Sequence, residues 1–174
     1  MQVKSIKKLG AAAIVLLLAL TLPACKQQTP ASPQTDYPLK VQDTVIESCP
    51  QRVVCLSPDI TEIIEELGSD AQLIGVSDQC DTDKELPTFG STVLPDTANI
   101  IDSKADLVFA SSALPAADRQ QLLDAGIDVI VLDVPTELAN QKGAYQTVAQ
   151  IMSGLVTGKM NAEYTFSRLQ SKNN

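Results

Sequence analysis

Residues 52–68 read RVVCLSPDITEIIEELG, which predicts a buried strand, a tight turn and an amphipathic helix in succession. Residues 53–56 form a continuous apolar run, typical of a strand buried on both faces of a parallel sheet. Helical spacing then links the apolar residues Ile60, Ile63, Ile64 and Leu67. Because α/β proteins bind ligands where strand-to-helix loops open, at the carboxyl edge of the sheet, this turn is a candidate site.

The turn residues also predict how the helix begins and ends. Ser57 is suited to cap the helix, and Pro58 suits its first position, where no backbone N–H is needed. Asp59 and Glu62 have capping-box spacing and place negative charge near the positive helix end. Capping is the preferred role for these two acids, and ligand contact is the alternative. Gly68 is expected to end the helix.

Apolar runs and helical patterns alternate through the rest of the chain. Residues 37–46 predict a short strand or hairpin arm, and strands are expected at 73–76, 106–110 and 127–132. Helices are expected at 97–103, 115–125 and 137–157, the last interrupted at Gly143 and Gly154, and a further helix at 161–172. This alternation predicts an α/β fold: a three-layer, Rossmann-like lobe with a mostly parallel sheet of four to five strands.

The N-terminus has the layout of a lipoprotein signal peptide, residues 1–25. A basic start is followed by an apolar run at 10–22, and Leu22-Pro23-Ala24-Cys25 resembles a lipobox in which Cys25 is lipidated. An uncleaved anchor or an ordinary secretory signal is the alternative, although the apolar run is shorter than the ~20 residues of a full span. Residues 26–36 are polar and contain proline, which predicts a flexible tether.

Charge and missing residue types argue against several function classes. The net charge is −8, and it becomes −11 when the three lysines of the signal segment are removed, which argues against nucleic acid and acidic lipid surfaces as partners. The absence of histidine excludes Ser-His-Asp triads and Cys-His dyads, and the commonest transition-metal ligand. The segment that contains Asp78, Asp81 and Asp83 does not have the glycine and the terminal glutamate of a calcium-binding loop. We therefore expect neither a metal site nor a cofactor.

The cysteines predict at most one disulfide. With Cys25 lipidated, Cys49, Cys55 and Cys80 remain, and one disulfide is possible outside the cytoplasm. Cys55 lies in the apolar strand and is expected to be a small core residue. If any pair forms, Cys49 with Cys80 is the prediction.

The ordered motifs along residues 37–168 resemble the N-terminal lobe of the class III solute-binding proteins that serve cobalamin, heme and ferric-siderophore ABC importers. The matching residues are Arg52-Val53-Val54, Leu56-Ser57-Pro58, Thr61-Glu62-Ile63, Leu67-Gly68, Ile74-Gly75-Val76, Cys80-Asp81, Leu86-Pro87 with Gly90, Asp106-Leu107-Val108 and Ala125-Gly126-Ile127. The resemblance implies two α/β lobes joined by one long helix, with the ligand held between them. Residues 37–158 would be the N-terminal lobe and residues 159–174 the start of the inter-lobe helix, with the second lobe absent.

The resemblance also implies which loops face the ligand: residues 57–59, 77–81, 90–94, 111–113 and 133–135. The ligand contacts it implies are Ser57, Asp59, Asp78, Gln79, Ser91, Ser111 and Ser112. The alternative for Ser111 and Ser112 is that they cap a turn. The chain departs from the family's pattern at Gln79 and Thr82, where aromatic residues are frequent. It departs again at Ala98, where a permease-docking glutamate is usual and Asp96 is the nearest substitute.

The function implied is capture of an iron-siderophore or cobalamin-type ligand by an extracytoplasmic, lipid-anchored monomer that passes it to an ABC permease. A truncated remnant without transport activity, or a surface domain, is the alternative. A small extracytoplasmic α/β enzyme is the weakest reading, because no nucleophile elbow, P-loop or dinucleotide glycine fingerprint is present.

Overall fold

Four parallel strands form the central sheet of the chain, which a computed structural model describes over residues 36–172. The strands are β1 (Leu39–Val41), β2 (Thr44–Ile46), β3 (Val53–Cys55), β4 (Leu73–Val76), β5 (Gly90–Ser91), β6 (Leu94–Pro95), β7 (Leu107–Ala110) and β8 (Asp128–Val131). The helices are α1 (Pro58–Glu66), α2 (Thr97–Asp102), α3 (Ala116–Asp124), α4 (Lys142–Ser153) and α5 (Leu155–Lys172). The predicted signal peptide, Cys25 and the tether up to residue 35 lie outside the described residues.

The central sheet has the strand order β4-β3-β7-β8, and all its pairs are parallel. Every residue of β3 and β7 is buried, as the continuous apolar runs predict. Val53 and Cys55 pack on one face with α1, α4 and α5, whereas Val54 packs on the other face with α2 and α3. The three-layer α/β fold is therefore confirmed, and residues 37–46 form the antiparallel β1–β2 hairpin.

The start of α1 differs from the prediction in its capping. Pro58 occupies the first helical position, but the Ser57 side chain makes no capping hydrogen bond, so the predicted side-chain cap is wrong. Ser57 is buried, and its carbonyl oxygen accepts hydrogen bonds from the N–H (3.0 Å) and the hydroxyl (3.1 Å) of Thr61. Proline supplies the helical φ of the first turn without any side-chain cap.

The end of α1 agrees with the prediction. Gly68 has a φ of 69°, its N–H donates to Glu65 O, and the Ser69 N–H donates to Ile64 O. These two bonds make a Schellman motif, for which glycine is the favoured residue.

Helices α4 and α5 meet at Gly154, which has a φ of 88°. The predicted interruption at Gly143 is wrong, because this residue lies in the first turn of α4, where a glycine is tolerated. Helix α5 begins at Leu155, six residues before the predicted start at 161. Gly158 allows α5 to lie directly against the backbone of α4 at Ala149.

The first described residues are bound to the junction of α4 and α5. The Asp36 carboxylate accepts a hydrogen bond from the Val156 N–H (2.8 Å), and the Tyr37 hydroxyl donates to Ile151 O (2.5 Å). This junction lies at the amino edge of the sheet, since the nearby Met152 carbonyl contacts Cys49, which precedes β3.

The three cysteines within the described residues are free thiols. The predicted Cys49–Cys80 disulfide is wrong because the two residues lie at opposite ends of the strands. Cys49 precedes β3 and donates to Met152 O at 3.1 Å, whereas Cys80 follows β4 at the carboxyl edge. Cys55 is fully buried, as predicted for a core residue.

Candidate functional site

All five loops that the resemblance implies lie at the carboxyl edge of the sheet. Residues 57–59, 77–81, 111–113 and 133–135 follow β3, β4, β7 and β8, respectively. Residues 90–94 belong to the β5–β6 hairpin, which reaches the same edge through a backbone hydrogen bond from Asp78 to Gly90 (2.9 Å). Parallel strands place their following loops together, so this edge is the candidate ligand surface.

Three of the loops form one hydrogen-bonded group. The Ser77 N–H donates to Cys55 O at 2.9 Å, which fixes the start of loop 77–81 over the end of β3. The buried Ser77 hydroxyl accepts the Gln79 N–H at 3.0 Å and closes a turn. The buried Thr92 hydroxyl donates to Leu56 O, which holds the hairpin over loop 57–59. The backbone positions of Asp78 and Gln79 are therefore set by bonds to the end of β3, to the β5–β6 hairpin and within their own loop, rather than by their own side chains.

The other two loops form a second group. The Ser112 N–H donates to the Asp133 carboxylate at 2.8 Å, and this bond holds the pKa of Asp133 below its usual range. The Ser111 hydroxyl accepts the Ala113 N–H at 3.4 Å, which is the turn-capping arrangement. Ser111 therefore caps a turn, which was the alternative for this residue, and its contact with a ligand stays a prediction.

The predicted contact residues differ in how much surface they offer. Asp59, Asp78, Gln79 and Ser112 are exposed, and Ser91 and Ser111 are half-buried. Ser57 is only 3% exposed, because the loops above β3 cover it. The structure thus brings all seven residues to one edge, with Ser57 beneath its surface. Their contact with a ligand stays a prediction.

The exposed charges within the five loops are all negative. Asp59, Asp78, Asp81 and Asp133 are exposed, and none of the five loops contains a lysine or arginine. A surface with this potential repels anions and attracts cations.

Two apolar side chains at this edge were not among the predicted contacts. Val93 and Leu94, at the tip of the β5–β6 hairpin, are 61% and 79% exposed. Adjacent apolar residues in a turn are a weak sequence signal, and their exposure depends on how the hairpin is oriented. They give the acidic edge an apolar contact surface, which bulky ligands require.

Asp59 also borders a groove of about 300 Å³ between α1 and the segment that leads into α4. Glu62 and Glu66 line this groove as well, and partial burial, with the neighbouring carboxylates, raises the pKa of Glu62. The acidic character of the edge therefore continues along α1.

Within residues 36–172, no three His, Cys, Asp or Glu side chains are grouped so as to hold a metal ion. In the same range, no helix combines the length and apolar character needed to cross a bilayer.

Comparison with known proteins finds similarity in structure alone. No protein-family model matches the chain, and no curated protein matches it. The periplasmic heme-binding protein RhuT of Roseiflexus sp. RS-1 aligns with a TM-score of 0.62 and 24% identity, over 70% of this chain and 47% of RhuT.

Two further solved structures give similar values. The periplasmic vitamin B12 binding protein BtuF of Vibrio cholerae aligns with a TM-score of 0.57 and 22% identity, over 70% of this chain and 49% of BtuF. The siderophore-binding protein BauB, bound to two acinetobactin molecules and ferric iron, has a TM-score of 0.58 and 20% identity, over 74% of this chain and 48% of BauB. The chain spans about half the length of each protein. It therefore has the fold of about half of a periplasmic binding protein for heme, vitamin B12 or a siderophore, as the sequence resemblance implies.

Proposed function

We propose that this protein is the N-terminal lobe of an extracytoplasmic solute-binding lipoprotein, which captures a bulky iron-siderophore or cobalamin-type ligand for an ABC importer. The observation that carries the proposal is the convergence of four strand-following loops and the β5–β6 hairpin on one edge of a sheet whose fold matches heme, vitamin B12 and siderophore binding proteins. Lipid anchoring through Cys25, a monomeric state and delivery to a permease are parts of this proposal.

The side chains at the edge support binding rather than catalysis. The loops that meet at this edge carry exposed hydroxyl, amide and carboxylate groups together with the exposed apolar pair Val93 and Leu94. A mixture of apolar contact area and a few polar groups is typical of small-molecule sites. The ligand would be held by these contacts and released unchanged.

The charge of the edge favours a neutral or cationic ligand. Four exposed aspartates without a nearby lysine or arginine in the loops would repel the carboxylates of heme and the anionic ferric catecholates. Cyanocobalamin and a ferric trihydroxamate carry no net negative charge. We therefore rank these two ligand classes first.

The proposal is tested by titrating the full chain, purified in detergent, with cyanocobalamin, heme, a ferric hydroxamate and a ferric catecholate, using calorimetry. We expect saturable binding of a neutral or cationic ligand. Absence of binding by all four at ~100 μM, which corresponds to only ~5.5 kcal/mol of affinity, would contradict a free-standing receptor and favour a surface domain.

A matched pair of double variants tests where the ligand binds. Val93→Asp with Leu94→Asp changes the apolar pair at the loop edge, whereas Leu155→Asp with Val156→Asp changes an exposed apolar pair at the amino edge. We expect at least a tenfold loss of affinity in the first double variant only. An equal loss in both would place the ligand elsewhere.

A further inference from the structure

Two thiols meet beneath the proposed ligand surface. Cys55 ends β3 and is fully buried, and Cys80 is half-buried in the loop after β4. The Cys80 Sγ lies 3.9 Å from the carbonyl oxygen of Cys55. The chain reaches this position because the Ser77 N–H donates to Cys55 O and the Cys80 N–H donates to Ser77 O, which folds the loop back over the strand.

The Thr61 hydroxyl and the Ser57 carbonyl oxygen link the two sulfurs through hydrogen bonds. The Cys80 Sγ is 3.2 Å from the Thr61 hydroxyl, which itself donates to Ser57 O at 3.1 Å. The Cys55 Sγ donates to that same carbonyl oxygen at 3.3 Å. Both thiols thus point into one space between the end of β3 and the first turn of α1.

We propose that Cys55 and Cys80 are a redox-sensitive pair that forms an intramolecular disulfide when a low-molecular-weight disulfide, such as oxidised glutathione, is present. The Cys80 sulfur attacks the disulfide, forms a mixed disulfide and releases one thiol. The Cys55 sulfur then displaces the second thiol, so that two protein thiols are oxidised and one external disulfide is reduced to two thiols, which take up the two protons.

The order of these two steps follows from the surroundings of the two sulfurs. Cys80 is the more accessible thiol, and burial raises the pKa of the Cys55 thiol to about 12, which makes Cys55 a poor first nucleophile. Cys55 reacts because it is held beside the mixed disulfide. In an extracytoplasmic compartment such a disulfide would persist.

The disulfide would act on the candidate site, because loop 77–81 carries Asp78 and Gln79. This loop is also bonded to the β5–β6 hairpin through the Asp78 N–H and Gly90 O. Oxidation would fasten loop 77–81 to the end of β3 and reduce its freedom to adjust to a ligand. The inference concerns the loop itself and holds whatever ligand the edge binds.

The test is peptide mapping of the full chain, purified under reducing conditions, freed of reductant and treated with oxidised glutathione before the remaining thiols are alkylated. We expect the Cys55–Cys80 peptide pair to be the main product and the melting temperature to rise by about 10 °C, reversibly with dithiothreitol. Glutathione retained on Cys80 with Cys55 alkylated, or a disulfide between two chains, would overturn the proposal. The wild-type peptide map decides this by itself.

Two kinds of variant refine the result. Cys49→Ser removes the thiol at the opposite edge of the sheet and should leave both the peptide pair and the rise in melting temperature unchanged. Cys80→Ser should abolish the rise. A rise that survives Cys80→Ser, or is lost in Cys49→Ser, would contradict the assignment.

Discussion

Replacement of Gly158 by alanine should separate helices α4 and α5. A Cβ on Gly158 would lie 2.3 Å from the carbonyl oxygen of Ala149 and 2.5 Å from the Cα of Gln150. These are backbone atoms, which cannot rotate away as a side chain would. Since ordinary Cβ contacts are 3.4–4 Å, α5 must move by about 1 Å relative to α4.

The expected loss of stability follows from two opposing effects. Overpacking costs about 1–3 kcal/mol, and a backbone contact places Gly158→Ala near the upper end of that range. Alanine regains about 1 kcal/mol of helix propensity. The free energy of unfolding should therefore fall by about 1–2 kcal/mol. The movement also disturbs the edge-to-face contact of Tyr145 and Phe166, whose ring centres are 5.6 Å apart.

Gly143→Ala is the matched control, because this helical glycine has no atom within 4 Å of an added Cβ. It should be neutral or stabilise the protein by up to ~1 kcal/mol. Urea and thermal unfolding, followed by far-UV circular dichroism because the chain has no tryptophan, should separate the two variants by about 5–10 °C. If both substitutions shift the melting temperature in the same direction and by the same amount, the proposed close packing is wrong.

Three further substitutions test contacts around the loops and helices. Thr92→Val removes the hydroxyl that donates to Leu56 O, so the free energy of unfolding should fall by about 1–3 kcal/mol and amide exchange in the β5–β6 hairpin should become faster. Unchanged amide exchange would contradict this role of Thr92. Asp133→Asn should weaken the bond from Ser112 by about 0.5 kcal/mol at pH 7. Because the pKa of Asp133 is lowered in the folded state, the difference in stability between wild type and variant is present above the ordinary aspartate pKa and should vanish as the pH falls through the folded-state pKa. A stability difference that grows in acid would refute this assignment. Tyr145→Phe removes a hydroxyl that donates to a glutamate of α1 and should cost about 1 kcal/mol in urea unfolding; a stabilised variant would argue against that bond.

The apolar runs predicted the sheet well because they report burial directly. Strands β3 and β7 are apolar at every position, and this pattern is expected only of a strand that is covered on both faces. The positions of the loops then followed from topology, since parallel strands place their carboxyl ends at one edge. Gly68 was also predictable, because a glycine after an amphipathic helix is a common helix end.

What the sequence could not predict depends on contacts between distant segments. Ser57 looked like a helix cap, but the hairpin that carries Thr92 packs above it and leaves it buried. The proximity of Cys55 and Cys80 requires loop 77–81 to fold back, which no local pattern signals. Gly143 was wrongly predicted to interrupt a helix, because a glycine can lie within a helix at a modest cost in stability.

The attachment of Asp36 and Tyr37 to the α4–α5 junction determines which edge of the sheet faces solution when the protein is fused to a tag or fixed to a surface. Asp36 and Tyr37, the first described residues, lie at the amino edge of the sheet, on the side opposite to the five loops. An affinity tag, a fluorescent protein or a sensor surface joined there would keep the loop edge facing solution. A fusion after α5 would emerge near the loops, since Leu169 lies beside the segment that follows β8. Immobilisation at Asp36 is thus the arrangement in which a ligand has open access to the loop edge.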